Sequence, residues 1–239
     1  MIAVRSLLFN VAFWLWSLIL TIAALAVFWA PQSWTLALGR LWCQGTLTLA
    51  RSICGLDYEV RGRVPDPPVI VASKHQSAWD TFIFPILLGN PAYVLKRELL
   101  WIPLLGLCLW RAGHIAVDRK GGGPALRRML HRARAVAAEG RSIVIYPEGT
   151  RTAPGSRRPY HPGVLALYTQ LKLPIVPVAL NSGLYWGRRS FLKRPGRIVI
   201  EFLEPIQQGT YRRRLLSELE RRIETASDRL VREAGAGTE

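Results

Sequence analysis

Hydrophobic and polar positions follow three different patterns along this chain. Between Ser6 and Gly39 no charged residue occurs, and residues 7–30 are almost continuously apolar, with Phe9, Phe13, Trp14, Trp16, Phe28 and Trp29 gathered toward the two ends. At about 24 residues the run is close to the roughly 20 that cross a hydrocarbon core, and its aromatic ends fit interfacial belts. Pro31 ends this helix. A second predicted helix, 33–54, carries Arg40, Gln44, Thr48 and Arg51 at spacings of four, four and three. That is a polar stripe on an apolar helix, the pattern of one lying in a membrane interface. A signal peptide would have a shorter apolar region, about 7–15 residues, although Ala24-Leu25-Ala26 resembles a cleavage site. A buried helical hairpin of a soluble core is the other alternative, and the Trp content argues against it. The flanking charges, Arg5 on one side and Arg40 and Arg51 on the other, encode orientation only weakly.

After Gly55 short β-branched runs alternate with longer amphipathic segments. Strands are predicted at 58–61, 69–73, 93–95, 114–117, 142–146, 175–179 and 197–203. Leu126, Met129, Leu130, Ala133, Val136 and Ala137 mark a helix opened by Gly123-Pro124 and stopped by Gly140. Residues 163–173 read as another helix, and Leu215, Leu219, Ile223, Ala226 and Leu230 stripe a C-terminal one. This alternation predicts an α/β fold: a single domain over 55–234 with a mixed β-sheet flanked by helices. A membrane-embedded helical hairpin over 1–54 precedes it, and a flexible tail follows at 235–239. Pro177 inside a strand suits an edge or a bulge. The apolar block 99–110, broken by Pro103 and Gly106, is too short to span a bilayer and is expected to pack in the core.

Charge narrows the class of partner. Lys and Arg number 32 against 16 Asp and Glu, a formal charge of +16, which points to an anionic lipid surface or a nucleic acid. The apolar N-terminus favours lipid. The basic pairs Arg127-Arg128, Arg157-Arg158 and Arg188-Arg189 and the run Arg212-Arg213-Arg214 are scattered, and no nucleic-acid-binding motif accompanies them. Cys43, Cys54 and Cys108 include no Cys-x-x-Cys pair, so neither a metal site nor a disulfide framework is suggested.

The densest chemistry lies in Lys74-His75-Gln76-Ser77-Ala78-Trp79-Asp80, directly after Val69-Ile70-Val71-Ala72. Five positions on a straight helix would set His75 and Asp80 about 140° apart. The predicted geometry is therefore a strand end, a sharp turn at His75 and a helix from near Ser77 whose first turn returns Asp80 to the ring. A carboxylate holding Nδ1–H presents Nε2 as a base. No Ser or Cys nucleophile pairs with it, which points to a hydroxyl on the substrate. The plainer alternative makes Ser77 and Asp80 a capping-box variant.

Other clusters add anion-binding groups. In Tyr146-Pro147-Glu148-Gly149-Thr150-Arg151, Gly149 permits a tight turn whose N–H groups face an anion. Thr150 adds a hydroxyl and Arg151 a planar fork for phosphate. Glu148 either orients that Arg or accepts from a substrate hydroxyl. In Gly113-His114-Ile115-Ala116-Val117-Asp118-Arg119 the last residue stands at a strand's C-terminal end as a second phosphate ligand; the alternative is a surface ion pair worth little. Lys96, in Lys96-Arg97-Glu98, offers a third basic contribution. His114 reads as a strand residue, and His131 and His161 are set aside.

In this order and spacing, His75…Asp80, Gly113…Arg119, Tyr146…Arg151 and Val176…Leu180 resemble the four motifs of the glycerolipid acyltransferase superfamily, and most closely its 1-acylglycerol-3-phosphate O-acyltransferase branch. The chain departs from the usual pattern at Tyr146, where Phe is common, and at Ala116, where an aromatic residue is common. The resemblance covers about residues 55–205. It implies transfer of a fatty acyl group from acyl-CoA or acyl carrier protein to lysophosphatidic acid at the cytoplasmic face of the inner membrane. His75 is then the general base, Asp80 its orienting carboxylate, and Lys96, Arg119, Glu148, Gly149, Thr150 and Arg151 the substrate-binding set. No metal or cofactor is expected beyond the thioester co-substrate. An acceptor such as lyso-ornithine lipid is the near alternative, and a non-enzymatic basic module the remote one. The block 99–110 also has a second reading, a slot for an acyl chain close to the bilayer.

Overall fold

The computed structural model of the chain describes residues 1–209 and 212–236. Seven strands form one sheet: β1 (Leu56–Arg61), β2 (Ile70–Ser73), β3 (Ala92–Lys96), β4 (Ile115–Val117), β5 (Ile143–Ile145), β6 (Ile175–Leu180) and β7 (Gly196–Phe202). Their order is β1-β7-β6-β2-β5-β3-β4, with every neighbouring pair parallel except β6 and β7. The sheet is mixed, as expected, and both faces are covered. Full cover is why β2 and β6 read as unbroken apolar runs rather than alternating ones.

Alternation sorts the strand residues onto two cores. Val71, Val144, Val176, Ile198 and Ile200 point to one side, where α2 (Gln32–Cys54) and α3 (Trp79–Leu87) pack. Ile70, Ala72, Ile143, Ile145 and Ile175 point to the other, against α5 (Gly122–Ala138), α6 (Gly163–Leu171) and α7 (Arg212–Ala236). The loops after the parallel strands meet at one edge of the sheet, where ligands of such folds bind.

The N-terminal hairpin pairs α1 (Ile2–Ala26) with α2. Trp16 Nε1 donates to the Trp42 carbonyl at 3.2 Å, and Trp42 Nε1 to Ser17 Oγ at 2.9 Å. Gly45 leaves room for the Trp16 indole, which a Cβ there would strike. α2 is not a detachable anchor: Cys43, Leu47, Ala50 and Cys54 belong to the same core as β1 and α3. α1 touches the domain along a narrow strip. Phe9 is fully buried and meets Trp186 edge-on, Lys193 N donates to Ser6 Oγ, and Lys193 Nζ to Asn10 Oδ1. Apart from Leu20 and the side against α2, the rest of α1, the one helix among the described residues long and apolar enough to cross a membrane, is exposed. In α2 the expected stripe of Arg40, Gln44, Thr48 and Arg51 is exposed too.

Two expectations are corrected, and the bulge expected at Pro177 is met in place of an edge. The block 99–110 is not core: it forms a 3-10 turn (Arg97–Trp101) and α4 (Leu105–Arg111), with Leu99, Trp101, Ile102, Leu104, Leu105, Leu107 and Trp110 exposed, and Trp101, Ile102, Leu104, Leu107 and Trp110 line an open depression of about 350 Å³. Pro103 and Gly106 break the segment before it can bury a continuous face, and Gly106 lies so close to the Leu100 carbonyl that a Cβ would not fit. Pro177 is in a central strand. Its missing N–H is tolerated because β7 bulges opposite it, three steps from Leu203 to Ile206 facing two from Ile175 to Pro177, and the Pro177 carbonyl still accepts from Leu203 N. Finally, α7 continues through Ala236, and residues 237–239 of the expected tail lie outside the described residues.

Candidate active site

β2 ends at Ser73, and the chain turns through residues 74–78 into α3. Asp80, in the first turn of α3, is fully buried, and its Oδ2 accepts from Gln76 N at 2.7 Å and Ser77 N at 2.8 Å. The same oxygen lies 3.0 Å from His75 Nδ1. Capping and ring orientation are thus one arrangement rather than alternatives, because a single carboxylate oxygen gathers all three donors. Its other oxygen accepts from Ser182 Oγ, in the 3-10 turn (Ser182–Leu184) that follows β6. With four donors on one buried carboxylate, Asp80 is held in a single rotamer and the imidazole tautomer with Nδ1–H is favoured.

His75 stacks on Tyr146, ring centres 3.9 Å apart and planes 18° from parallel. Tyr146 is fixed in turn by donating its hydroxyl to the Asp80 carbonyl at 2.9 Å. Burial, reinforced by the Asp80 charge, pushes the Tyr146 phenol well above its ordinary value, so it remains a neutral donor. The departure from Phe therefore adds a tether between the turn after β5 and the helix bearing Asp80.

Glu148 lies elsewhere than expected. It is buried, and its carboxylate is fully engaged: Lys74 Nζ at 2.7 Å and Thr152 Oγ1 at 2.6 Å on Oε1, and His75 N at 3.0 Å on Oε2. It has neither an Arg to orient nor a lone pair turned to solvent. Glu148 clamps the His75 peptide, and Thr152 N completes the clamp by donating to the His75 carbonyl at 2.8 Å.

The basic residues gather at the same sheet edge. Gly149 adopts φ +68°, and an ideal Cβ there would stand 2.8 Å from His161 Cδ2 and 3.8 Å from an Arg119 guanidinium nitrogen. The turn after β5 therefore needs glycine for both conformation and space, and Arg119 is beside it. Thr150 and Arg151 are half-buried on this turn. Neither Arg119 nor Arg151 forms a salt bridge among the described residues, whereas Lys96 pairs with Glu98 at 3.3 Å and Arg97 with Asp118 at 3.1 Å. Lys96 is thus partly neutralised.

His161 and Ser182 were not singled out from the sequence. His161, in a loop, reaches Gly149 because its backbone N–H bonds the Pro147 carbonyl at 2.8 Å; Ser182 lies 102 residues from Asp80. No local pattern marks either. His114 is a half-buried residue just before β4: its Nδ1 accepts from Tyr93 N at 3.2 Å, and desolvation, then Arg141, lowers its pKa to about 4.

Residues 57–181 match the Acyltransferase family model. The chain is 35% identical over 185 residues to the 1-acyl-sn-glycerol-3-phosphate acyltransferase of Pseudomonas aeruginosa, covering 77% of this chain and 72% of that one. It is 34% identical over 163 residues to the 1-acyl-sn-glycerol-3-phosphate acyltransferase alpha of Mus musculus, spanning 66% of this chain but only 57% of the mouse protein. Among solved structures it is similar to the 1-acyl-sn-glycerophosphate (LPA) acyltransferase PlsC of Thermotoga maritima, with a TM-score of 0.77 over 96% of this chain and 98% of that one. At 19% identity the last likeness shows the fold.

Proposed function

The chain belongs to the acyltransferase family, and from that premise we propose that it transfers a fatty acyl group from an acyl-CoA or acyl-carrier-protein thioester to the sn-2 hydroxyl of 1-acylglycerol-3-phosphate. The observation that carries the reading is the His75–Asp80 contact of 3.0 Å beside a strand-end cluster containing Arg119 and Arg151. His75, Arg119 and Arg151 follow β2, β4 and β5 at one edge of the sheet, which suits an acceptor carrying both a hydroxyl and a phosphate.

His75 Nε2 takes the proton of the acceptor hydroxyl as its oxygen attacks the thioester carbonyl. Asp80 stabilises the imidazolium so formed. When the tetrahedral adduct collapses, the carbon–sulfur bond breaks and the imidazolium returns its proton to the leaving thiolate. The ester gains the acyl group, the thiol gains the proton, and His75 is regenerated. Arg119, Arg151 and Thr150 bind the acceptor phosphate, with Lys96 a weaker contributor, while Gly149, expected to offer its N–H to the anion, instead donates it to the Tyr146 carbonyl at 2.9 Å and shapes the turn. Glu148 acts only through the His75 backbone.

The acceptor is a lipid, and the hairpin brings the site to it. Leu8, Val11, Leu15, Leu18, Ile22 and Trp29 are exposed on α1 and the residues after it, the kind of apolar surface that marks a membrane or protein contact. The hairpin lies along the domain rather than projecting from it: Lys193 holds one end, and Arg111 binds the Ala30 carbonyl and covers the Phe28 ring at the other. Gln32 Nε2 also donates to the Arg111 carbonyl at 3.0 Å, which joins the hairpin tip to the exposed apolar residues of α4. This continuous face docks into the cytoplasmic leaflet of the inner membrane, with the basic excess on anionic headgroups. The open depression beside α4, lined by Trp101, Ile102, Leu104, Leu107 and Trp110, suits part of an acyl chain at the bilayer surface.

The test is acyl transfer in mixed micelles containing lysophosphatidic acid with either thioester, wild type beside His75→Ala. We expect phosphatidic acid from the wild type and a loss of about 10²–10⁴-fold in the variant. Near-normal turnover by His75→Ala would remove it as the base. Absence of product with both donors would instead move the reading to another lyso-lipid acceptor.

A further inference from the structure

Beneath His75 the fold buries a charged cluster that the acyl-transfer steps do not use. Lys74 Nζ lies 2.7 Å from Glu148 Oε1 and 2.9 Å from both carboxylate oxygens of Glu224, and it donates to the Ser156 carbonyl at 3.2 Å. The side chains of Lys74, Glu148 and Glu224 are 1%, 0% and 3% exposed. Tyr160 donates its hydroxyl to Glu224 Oε1 at 2.9 Å. One carboxylate suffices to neutralise Lys74. The second comes from α7, 150 residues along the chain and on the face of the sheet opposite the hairpin.

The cluster connects directly to the base. Glu148 Oε1 is held by Lys74 while its Oε2 receives the His75 N–H. Lys74 and His75 are adjacent, so the ammonium tethers the peptide from one side and the imidazole leaves from the other. We propose that Lys74 and Glu224 are positioning residues for acyl transfer: the α7 carboxylate fixes Lys74, Lys74 fixes Glu148, and Glu148 sets the peptide from which the imidazole reaches the acceptor hydroxyl. The inference rests on His75 being the base. Its leverage is geometric, since a shift of about 1 Å in a reacting group costs on the order of 10²-fold in rate.

Glu224→Gln keeps the shape and can still accept from Lys74 and Tyr160, but it removes the charge that holds the ammonium. The full-length protein in micelles should lose about tenfold in kcat, with donor and acceptor KM within about twofold, a split that marks loss of transition-state geometry rather than binding. Thermal melting of the same samples reports the folded fraction, and rates are taken per folded molecule. In a Glu148→Gln background the same substitution should cost nothing further, because the route to His75 is already cut. An unchanged kcat, or the same loss in both backgrounds, overturns the proposal. Tyr160→Phe, which loosens Glu224 without removing it, serves where the first variant does not fold: a loss of about two- to threefold in kcat alone supports the relay, and an unchanged kcat overturns it. If His75→Ala also proves active, the base assignment has failed, and not the relay alone.

Discussion

Two regions of this molecule break the ordinary rule of apolar inside and charged outside, in opposite directions. On the hairpin and around α4, leucines, isoleucines and tryptophans face outward. Under the site, Lys74, Asp80, Glu148 and Glu224 are buried. Each arrangement would be unfavourable without a partner. The buried charges have theirs within the chain, contact by contact. The exposed apolar face has none among the described residues, and the proposed function assigns that part to a bilayer. An inverted surface thus carries information of two kinds: where compensation is internal it fixes geometry, and where it is missing it locates a partner phase.

The sharpest way to break this contrast is to place charge on the outer region. Leu15→Glu with Ile19→Glu should weaken binding to anionic vesicles by about 2.5–3.5 kcal/mol per residue, while folding in detergent is nearly unchanged because both side chains are exposed. Sedimentation with vesicles and a melting curve in micelles check the two halves; undiminished sedimentation would show that another surface binds the membrane. Deleting the hairpin is a poorer test, because α2 carries part of the core.

The inner region should respond in the opposite sense. Lys74→Ala leaves two carboxylates buried without their ammonium and should destabilise the fold by about 3–5 kcal/mol, measured by denaturant titration in micelles. Vesicle binding per folded molecule should be unaffected. A loss below about 1 kcal/mol, the range of exposed pairs, would mean that the cluster is not the internal counterpart described above.

The smallest effect sharpens the same distinction at a half-buried group satisfied by a hydrogen bond instead of a charge. His114 is held near pKa 4, first by burial and then by Arg141, against an ordinary value of 6.5. Between those values the unfolded chain binds a proton that the folded protein does not. Stability therefore rises with pH through this window and is lost as pH falls from about 6.5 toward 4, by about 1–3 kcal/mol. His114→Gln should flatten that part of a denaturation-versus-pH curve; an unchanged slope would assign the acid sensitivity to other groups.

Much of this organisation was legible in the chain. All seven strands were visible in the chain, most plainly β2, β5 and β6, whose burial on both faces leaves short apolar runs, whereas β1 alternates Leu56, Tyr58 and Val60 with Asp57, Glu59 and Arg61. The His75–Asp80 contact was also legible, because a strand end followed by a helix start gives five residues one compact path. The role of Glu148 was not. Its motif suggests a substrate ligand, and only the meeting of Lys74, Thr152 and the His75 peptide shows that its oxygens are occupied. The exposure of 99–110 was likewise hidden, because hydropathy reports preference for an apolar phase without saying whether protein or lipid provides it.

Local order came from the chain's own pattern: which segments are strands, where the hairpin turns, and how a carboxylate caps a helix while reaching back to an imidazole. These depend on residues within a few positions of one another. The company those residues keep was decided by the fold, which set Ser182 on Asp80, Glu224 on Lys74 and His161 over Gly149. Sheet order and helix docking, rather than sequence spacing, determine which side chains share a dry interior, and in that interior a charge is tolerated only where its partners arrive together.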